Sequence, residues 1–216
     1  MNEFRFSIPQ DILVGRGTAE KLGDAAKKLG GTHAFIISGP HLTKMGHVQH
    51  CADLLAAKGI PSDAFSETEG NPSVATVDKA AKAFKESGAD FIVAFGGGSP
   101  MDAAKIIWVQ YEHPEVHFQD LALRFMDIRK RIYKFPKLGI KAELVAIPTT
   151  SGTGSEVTPF AVVTDDSTGM KYPLADYELT PNMAIIDANF VMHMPKSLTA
   201  FGGIDAVTHA LEAYAS

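Results

Sequence analysis

The stretch "DFIVAFGGGSPMDAAK" (residues 90–105) decides the fold. Phe91 to Phe95 form a short apolar run between Asp90 and a glycine, which reads as a buried strand. Gly96, Gly97 and Gly98 follow, and a helix begins at once. Ser99 suits the N-cap, Pro100 the first helical position, and Asp102 the third, as in a capping box. Three glycines let backbone N–H groups approach an anion closely, and the helix N-terminus adds partial positive charge. A dinucleotide pyrophosphate fits such a place, with Gly98 too close to it to carry a side chain. The plain alternative is a strand-to-helix turn, for which one glycine is enough. The pattern is neither G-x-G-x-x-G nor G-x-x-x-x-G-K-[ST], so neither fingerprint supports the phosphate reading.

Outward from this loop the same alternation repeats. "TAEKLGDAAKKLG" has helical spacing and "HAFIIS" is a buried strand. A helix is expected over 41–58, then an apolar patch at "DAF", then a helix over "SVATVDKAAKAFKESG". "ELVAIP" and "AIIDA" are further strands. Strands separated by helices predict βαβ units: an α/β, Rossmann-like, mostly parallel sheet with helices on both faces. Residues 112–141 lengthen one crossover and read as a helical insertion, and "FAVVTDDSTGMKYPLA" reads as a hairpin. From 193 the pattern turns wholly helical, so 1–192 is expected to be the α/β domain and 193–216 the beginning of a helical one. The last helix has no stop signal, and the chain reads as a piece of a longer protein.

The strand "AIP" ends in a second polar loop, "TTSGTGSE". Thr149, Thr150 and Thr153, with two serines and two glycines, offer hydroxyls and amides at the edge where open α/β sheets bind ligands. A G-x-S-x-G elbow is absent, which argues against a serine hydrolase. Near the end, Asp205 and His209 stand one helical turn apart on one face. Read alone, such a pair is an ordinary polar edge or half of a metal site. A net charge of −5 argues against nucleic acid as a partner. The single cysteine, Cys51, excludes an internal disulfide and fits a reducing, cytoplasmic compartment. No apolar run approaches the ~20 residues of a membrane span.

Three motifs in order, "GGGSPMDAAK", "PTTSGTGSE" and "GIDAVTHALEAY", resemble the iron-dependent (group III) alcohol dehydrogenases. The insertion, "SEVTPFAVVTDD" and "KYPLADYELTP" are similar, more narrowly, to the alcohol dehydrogenase half of bifunctional aldehyde–alcohol dehydrogenases. The resemblance implies reversible hydride transfer between a primary alcohol or aldehyde and NAD, with a divalent iron on the substrate oxygen. It implies cofactor contacts at Gly97, Gly98, Ser99 and Asp102, at Thr149, Thr150 and Thr153, at Asn71 of "EGNPS", and at Lys171 beside the nicotinamide ribose. It implies Asp205 and His209 as two of four iron ligands, the other two lying beyond residue 216. The chain alone is then expected to lack turnover. Related enzymes assemble, so a homo-oligomer is expected. Gly39 follows "HAFIIS" where many NAD-preferring relatives carry aspartate, so NADP is expected to be tolerated. The rivals are a zinc-dependent relative such as a glycerol dehydrogenase, and an inactive nucleotide-binding or assembly fragment.

Overall fold

A computed structural model of the 216-residue chain describes residues 8–116, 135–192 and 194–215. Six strands form one sheet: β1 (Asp11–Val14), β2 (Ala34–Ile37), β3 (Ser62–Phe65), β4 (Phe91–Gly96), β5 (Glu143–Pro148) and β8 (Met183–Ile186). Their order is β1-β8-β5-β4-β2-β3, and every pairing is parallel. The antiparallel pair β6 (Phe160–Thr164) and β7 (Lys171–Ala175) is the hairpin expected from the "DDSTG" turn. The α/β class read from the sequence is the one observed.

The central strands are buried on both faces, which is why they read as unbroken apolar runs. Their side chains divide with period two. Phe35, Ile37, Ile92, Ala94, Leu144 and Ala146 pack with Val77, Phe84, Ile106 and Trp108 on one face. Ala34, Ile36, Phe91, Val93, Phe95, Val145 and Ile147 pack with Leu22, Val48, Cys51 and Leu55 on the other. The first face is covered by α4 (Val74–Ser87) and α5 (Gly98–Glu112). The second is covered by α1 (Leu22–Lys28) and α3 (His47–Ala56). Helix α4 starts at Ser73, whose hydroxyl accepts the Thr76 N–H, and stops at Gly88 in the left-handed conformation.

From β2 the chain goes to β3 on one side and then returns to β4 on the other. The C-terminal ends of β2 and β4 therefore flank a topological switch point, where such sheets bind ligands. Gly39 follows β2 and Gly97 follows β4.

Two elements differ from the sequence reading. The helix expected over 41–58 is two helices, α2 (Pro40–Lys44) and α3, because Gly46 takes φ 80° between them. Strand β1 was not read at all, since four residues at a sheet edge carry little periodic signal. Of the insertion, residues 117–134 lie outside the described residues. The helical stretch expected from 193 appears as α6 (Lys196–Ala215).

Candidate active site: a cleft between two strand-end loops and a C-terminal helix

Gly97, Gly98 and Ser99 after β4, Thr150 to Thr153 after β5, and Leu198, Phe201, Gly202 and Asp205 of α6 line one cleft of roughly 450 Å³. The N-terminus of α5 opens into it. Gly97, not Ser99, is the N-cap, with extended backbone and no side-chain cap. Ser99 is thus already helical, and its hydroxyl accepts the Asn71 N–H at 3.2 Å. The capping box expected at Asp102 does not form. Its carboxylate instead accepts the Ser155 hydroxyl at 2.8 Å and the Val162 N–H at 3.0 Å. Burial pushes the Asp102 carboxyl above the usual range, against those two bonds and the Lys105 charge.

The glycines of the first loop make room for the second. A Cβ on Gly97 would stand 3.2 Å from the Thr150 side chain, and one on Gly98 would stand 3.0 Å from Thr153 Cγ2. Gly98 therefore has a reason in the protein itself to lack a side chain, besides any ligand. Thr149 sits beneath the cleft, buried, its N–H donating to the Gly96 carbonyl at 2.8 Å.

Asn71 and Lys171, 100 positions apart, meet: Lys171 Nζ donates to Asn71 Oδ1 at 2.7 Å. Asn71 is the one non-glycine among the described residues with positive φ, at 57°. Its N–H is held by Ser99 and its carbonyl by the Thr164 hydroxyl at 3.4 Å. Three separate elements thus hold a backbone conformation that few residues adopt, a pattern typical of binding sites.

Helix α6 reaches the cleft through a contact of glycine on glycine. A Cβ on Gly152 would stand 2.8 Å from Gly202 Cα, and one on Gly202 would collide with the Ser151 carbonyl. This close approach sets Asp205, one turn further on, into the cleft wall. His209 Nε2 lies 3.6 Å from Asp205 Oδ2. Oxygen and imidazole nitrogen suit Fe2+ or Zn2+ in kind. Among the described residues no group of three or more His, Cys, Asp or Glu side chains could hold a metal ion. Gly39 lies at the end of β2 as the N-cap of α2. A Cβ there would stand 3.1 Å from the Thr68 carbonyl. The hydroxyls of Ser38 and Thr68 beside it are buried and have no hydrogen-bond partner among the described residues.

Three groups escaped the sequence reading. Lys105 is fully buried, its ammonium donating to the Ser155, Thr158 and Phe160 carbonyls at 2.7–2.8 Å and to the Ser155 hydroxyl at 3.0 Å. Glu112, at the far end of α5, accepts from Trp108 Nε1 and from the N–H groups of residues 139–142. Asp187 accepts the N–H groups of Gly17, Ala19 and Asn189. Burial raises its carboxyl, but these bonds outweigh that and hold it below the usual range. A signal was available for the first two. Helix α5 is apolar nearly all round, so a charged residue within it has to be buried and matched.

A family model described as iron-containing alcohol dehydrogenase matches residues 9–188. The chain is 58% identical over 209 residues to the bifunctional aldehyde-alcohol dehydrogenase of Escherichia coli, covering 97% of this chain and 24% of that protein. It is 43% identical over 211 residues to the NADPH-dependent butanol dehydrogenase of Clostridium saccharobutylicum, covering 97% and 51%. A crystal structure of a 1,3-propanediol oxidoreductase superposes with a TM-score of 0.88 at 30% identity, covering 99% of this chain and 53% of that one. The chain thus spans about a quarter to a half of the length of these relatives. Motif order, parallel-sheet topology and these likenesses agree: the chain belongs to the iron-containing alcohol dehydrogenase family.

Proposed function

We propose that the cleft binds a nicotinamide dinucleotide and forms one wall of a site that interconverts a primary alcohol and its aldehyde, with a divalent iron at Asp205 and His209. The observation that carries this is the meeting of the glycine loop, the hydroxyl loop and Asp205 in one cleft. The amides at the start of α5 suit an anion, and in this reading the anion is the pyrophosphate. The hydroxyls of Thr150 and Thr153 border the same space. Lys171, bonded to Asn71, is assigned in this reading to a ribose hydroxyl. In the same reading 1–192 is the dinucleotide domain, 193–216 opens a helical one, and the protein is a cytoplasmic homo-oligomer. When bound, the cofactor supplies the hydride-exchanging carbon and the metal polarises the substrate oxygen.

Asp205 and His209 fall short of the roughly three protein ligands that a catalytic metal site uses. The chain is therefore expected to hold well under one equivalent of iron after dialysis, and Asp205→Ala to remove what remains. Tight stoichiometric iron in the Asp205→Ala variant would take Asp205 off the ligand set.

Gly39 bears on cofactor choice. No carboxylate stands there to accept the adenosine ribose hydroxyls or to repel a 2′-phosphate. NADPH is therefore expected to bind within about tenfold of NADH, and Gly39→Asp to weaken NADPH by about a further tenfold or more, a penalty of roughly 1.4 kcal/mol. Gly39→Ala controls for the Cβ that crowds the Thr68 carbonyl. Fluorescence titration with both cofactors checks it. Wild type that rejects NADPH as strongly as Gly39→Asp does would refute the assignment.

A further inference from the structure

Lys105 is not among the residues that line the cleft, yet it joins the parts that form it. Its ammonium has three N–H groups and four oxygen acceptors within reach, all in the segment 155–160. One turn earlier on α5, Asp102 holds the start of the same segment through the Ser155 hydroxyl and the following strand β6 through the Val162 N–H. This segment links the hydroxyl loop to β6, and β6 pairs with β7, which carries Lys171. The Ser155 N–H also donates to the Thr153 hydroxyl at 3.3 Å. Both clamping residues stand on the helix whose first turn is the glycine loop.

We propose that Lys105 is the positioning residue of this cleft: its buried ammonium fixes the hydroxyl loop and the Lys171 hairpin against the glycine loop, so that dinucleotide affinity depends on a side chain the ligand never touches. This rests on the dinucleotide reading given above. Removal of the ammonium leaves three backbone carbonyls without their donor. Deprotonation removes one N–H and turns a lone pair toward an oxygen, which has the same effect in part. Burial pulls the Lys105 ammonium down to about 8, against the opposing fields of Asp102 and Glu156, the charged groups that face it. That lowering has a definite sign for stability. Between about pH 8 and 9 the unfolded chain binds more protons than the folded one, so stability gains from this group as pH rises. A loss of affinity over that interval is then not a consequence of unfolding at Lys105. Above 9 the Cys51 thiol, kept neutral to about 12 by burial and then by Glu20, pulls stability the other way.

The test is NADH titration by fluorescence at pH 7–9, with amide hydrogen exchange over 151–164, in wild type and Lys105→Met. In Lys105→Met, NADH affinity falls by about tenfold or more, as expected for loss of a buried charged donor. Exchange over 151–164 quickens while β4 and β5 stay protected. Wild-type affinity falls as pH passes about 8, and the Lys105→Met profile is flat. A folded Lys105→Met that binds NADH within about twofold of wild type overturns the proposal. If Lys105→Met does not fold, wild type decides: affinity and intrinsic-rate-corrected exchange over 151–164 that do not change from pH 7 to 9 overturn it. Wild type that binds no dinucleotide at pH 7 refutes the function instead, and the exchange measurement still reads the clamp.

Discussion

Gly98→Val is expected to lower NADH affinity by about a hundredfold while the chain stays folded. A Cβ at this position would stand 3.0 Å from Thr153 Cγ2 and 3.4 Å from its hydroxyl, and valine adds two methyls beyond it. The glycine and hydroxyl loops are forced apart, and the first turn of α5 loses its alignment with a bound pyrophosphate. Two amide-to-phosphate bonds at about 1–2 kcal/mol each account for the hundredfold. The core is not touched, because the side chains buried beneath are those of β4 and β5. The overpacking cost is about 1–3 kcal/mol. Gly98→Ala, with only the Cβ to accommodate, should lose far less. Titration with NADH alongside thermal unfolding separates the two effects. Unchanged affinity in a folded Gly98→Val would mean that the loop serves only as a turn.

The largest expected effect on stability lies at the other end of the same helix. Glu112 Oε1 accepts from Trp108 Nε1 at 3.1 Å, from Gly139 and Ile140 at 3.0 Å, and from Lys141 and Ala142 at 3.2 Å. Glu112→Ala removes the acceptor of the buried Ala142 N–H and of the part-buried N–H groups of 139–141, while Trp108 Nε1 keeps the Ala142 carbonyl at 2.8 Å; the cost is about 2–4 kcal/mol. For a chain of this length that is a fall in Tm of about 10 °C. Glu112→Gln keeps an acceptor and should cost about 1 kcal/mol. Trp108 is the only tryptophan, so its fluorescence reports the transition where the change is made. Below the transition NADH affinity should be unchanged, since the glycine loop is at the opposite end of α5. A Glu112→Ala protein with wild-type Tm would show that the 139–142 segment finds other partners.

The contrast between Gly98 and Glu112 also shows what the sequence could reveal. The strand, glycine loop and helix of 90–112 were legible because all the signals are local: an apolar run, a cluster of glycines, a helical period. The extent of α4, read as "SVATVDKAAKAFKESG", was legible for the same reason. The hairpin was too, since its turn residues sit together. The misreadings arose where two local rules compete. Ser99 is a good N-cap, but Gly97 before it already had the extended backbone the cap requires, so the helix began earlier. Residues 41–58 have helical spacing throughout, yet Gly46 breaks them. What stayed hidden is long-range. Nothing near Lys105 in sequence announces carbonyls 50 to 55 residues away. Nothing near Gly152 announces Gly202 against it. Asn71 and Lys171 were each assigned through resemblance, and only the fold shows that they touch.

On the proposed function, the glycine loop, the hydroxyl loop and the start of α6 together hold a nicotinamide dinucleotide. Hydrogen exchange of the 216-residue chain with and without saturating NADH tests it most directly. Slowed exchange is expected at 97–101 and 150–155, with a smaller effect around Asn71 and Lys171 and none at 139–142. Protection confined to other surfaces, with 97–101 and 150–155 unchanged, would contradict it.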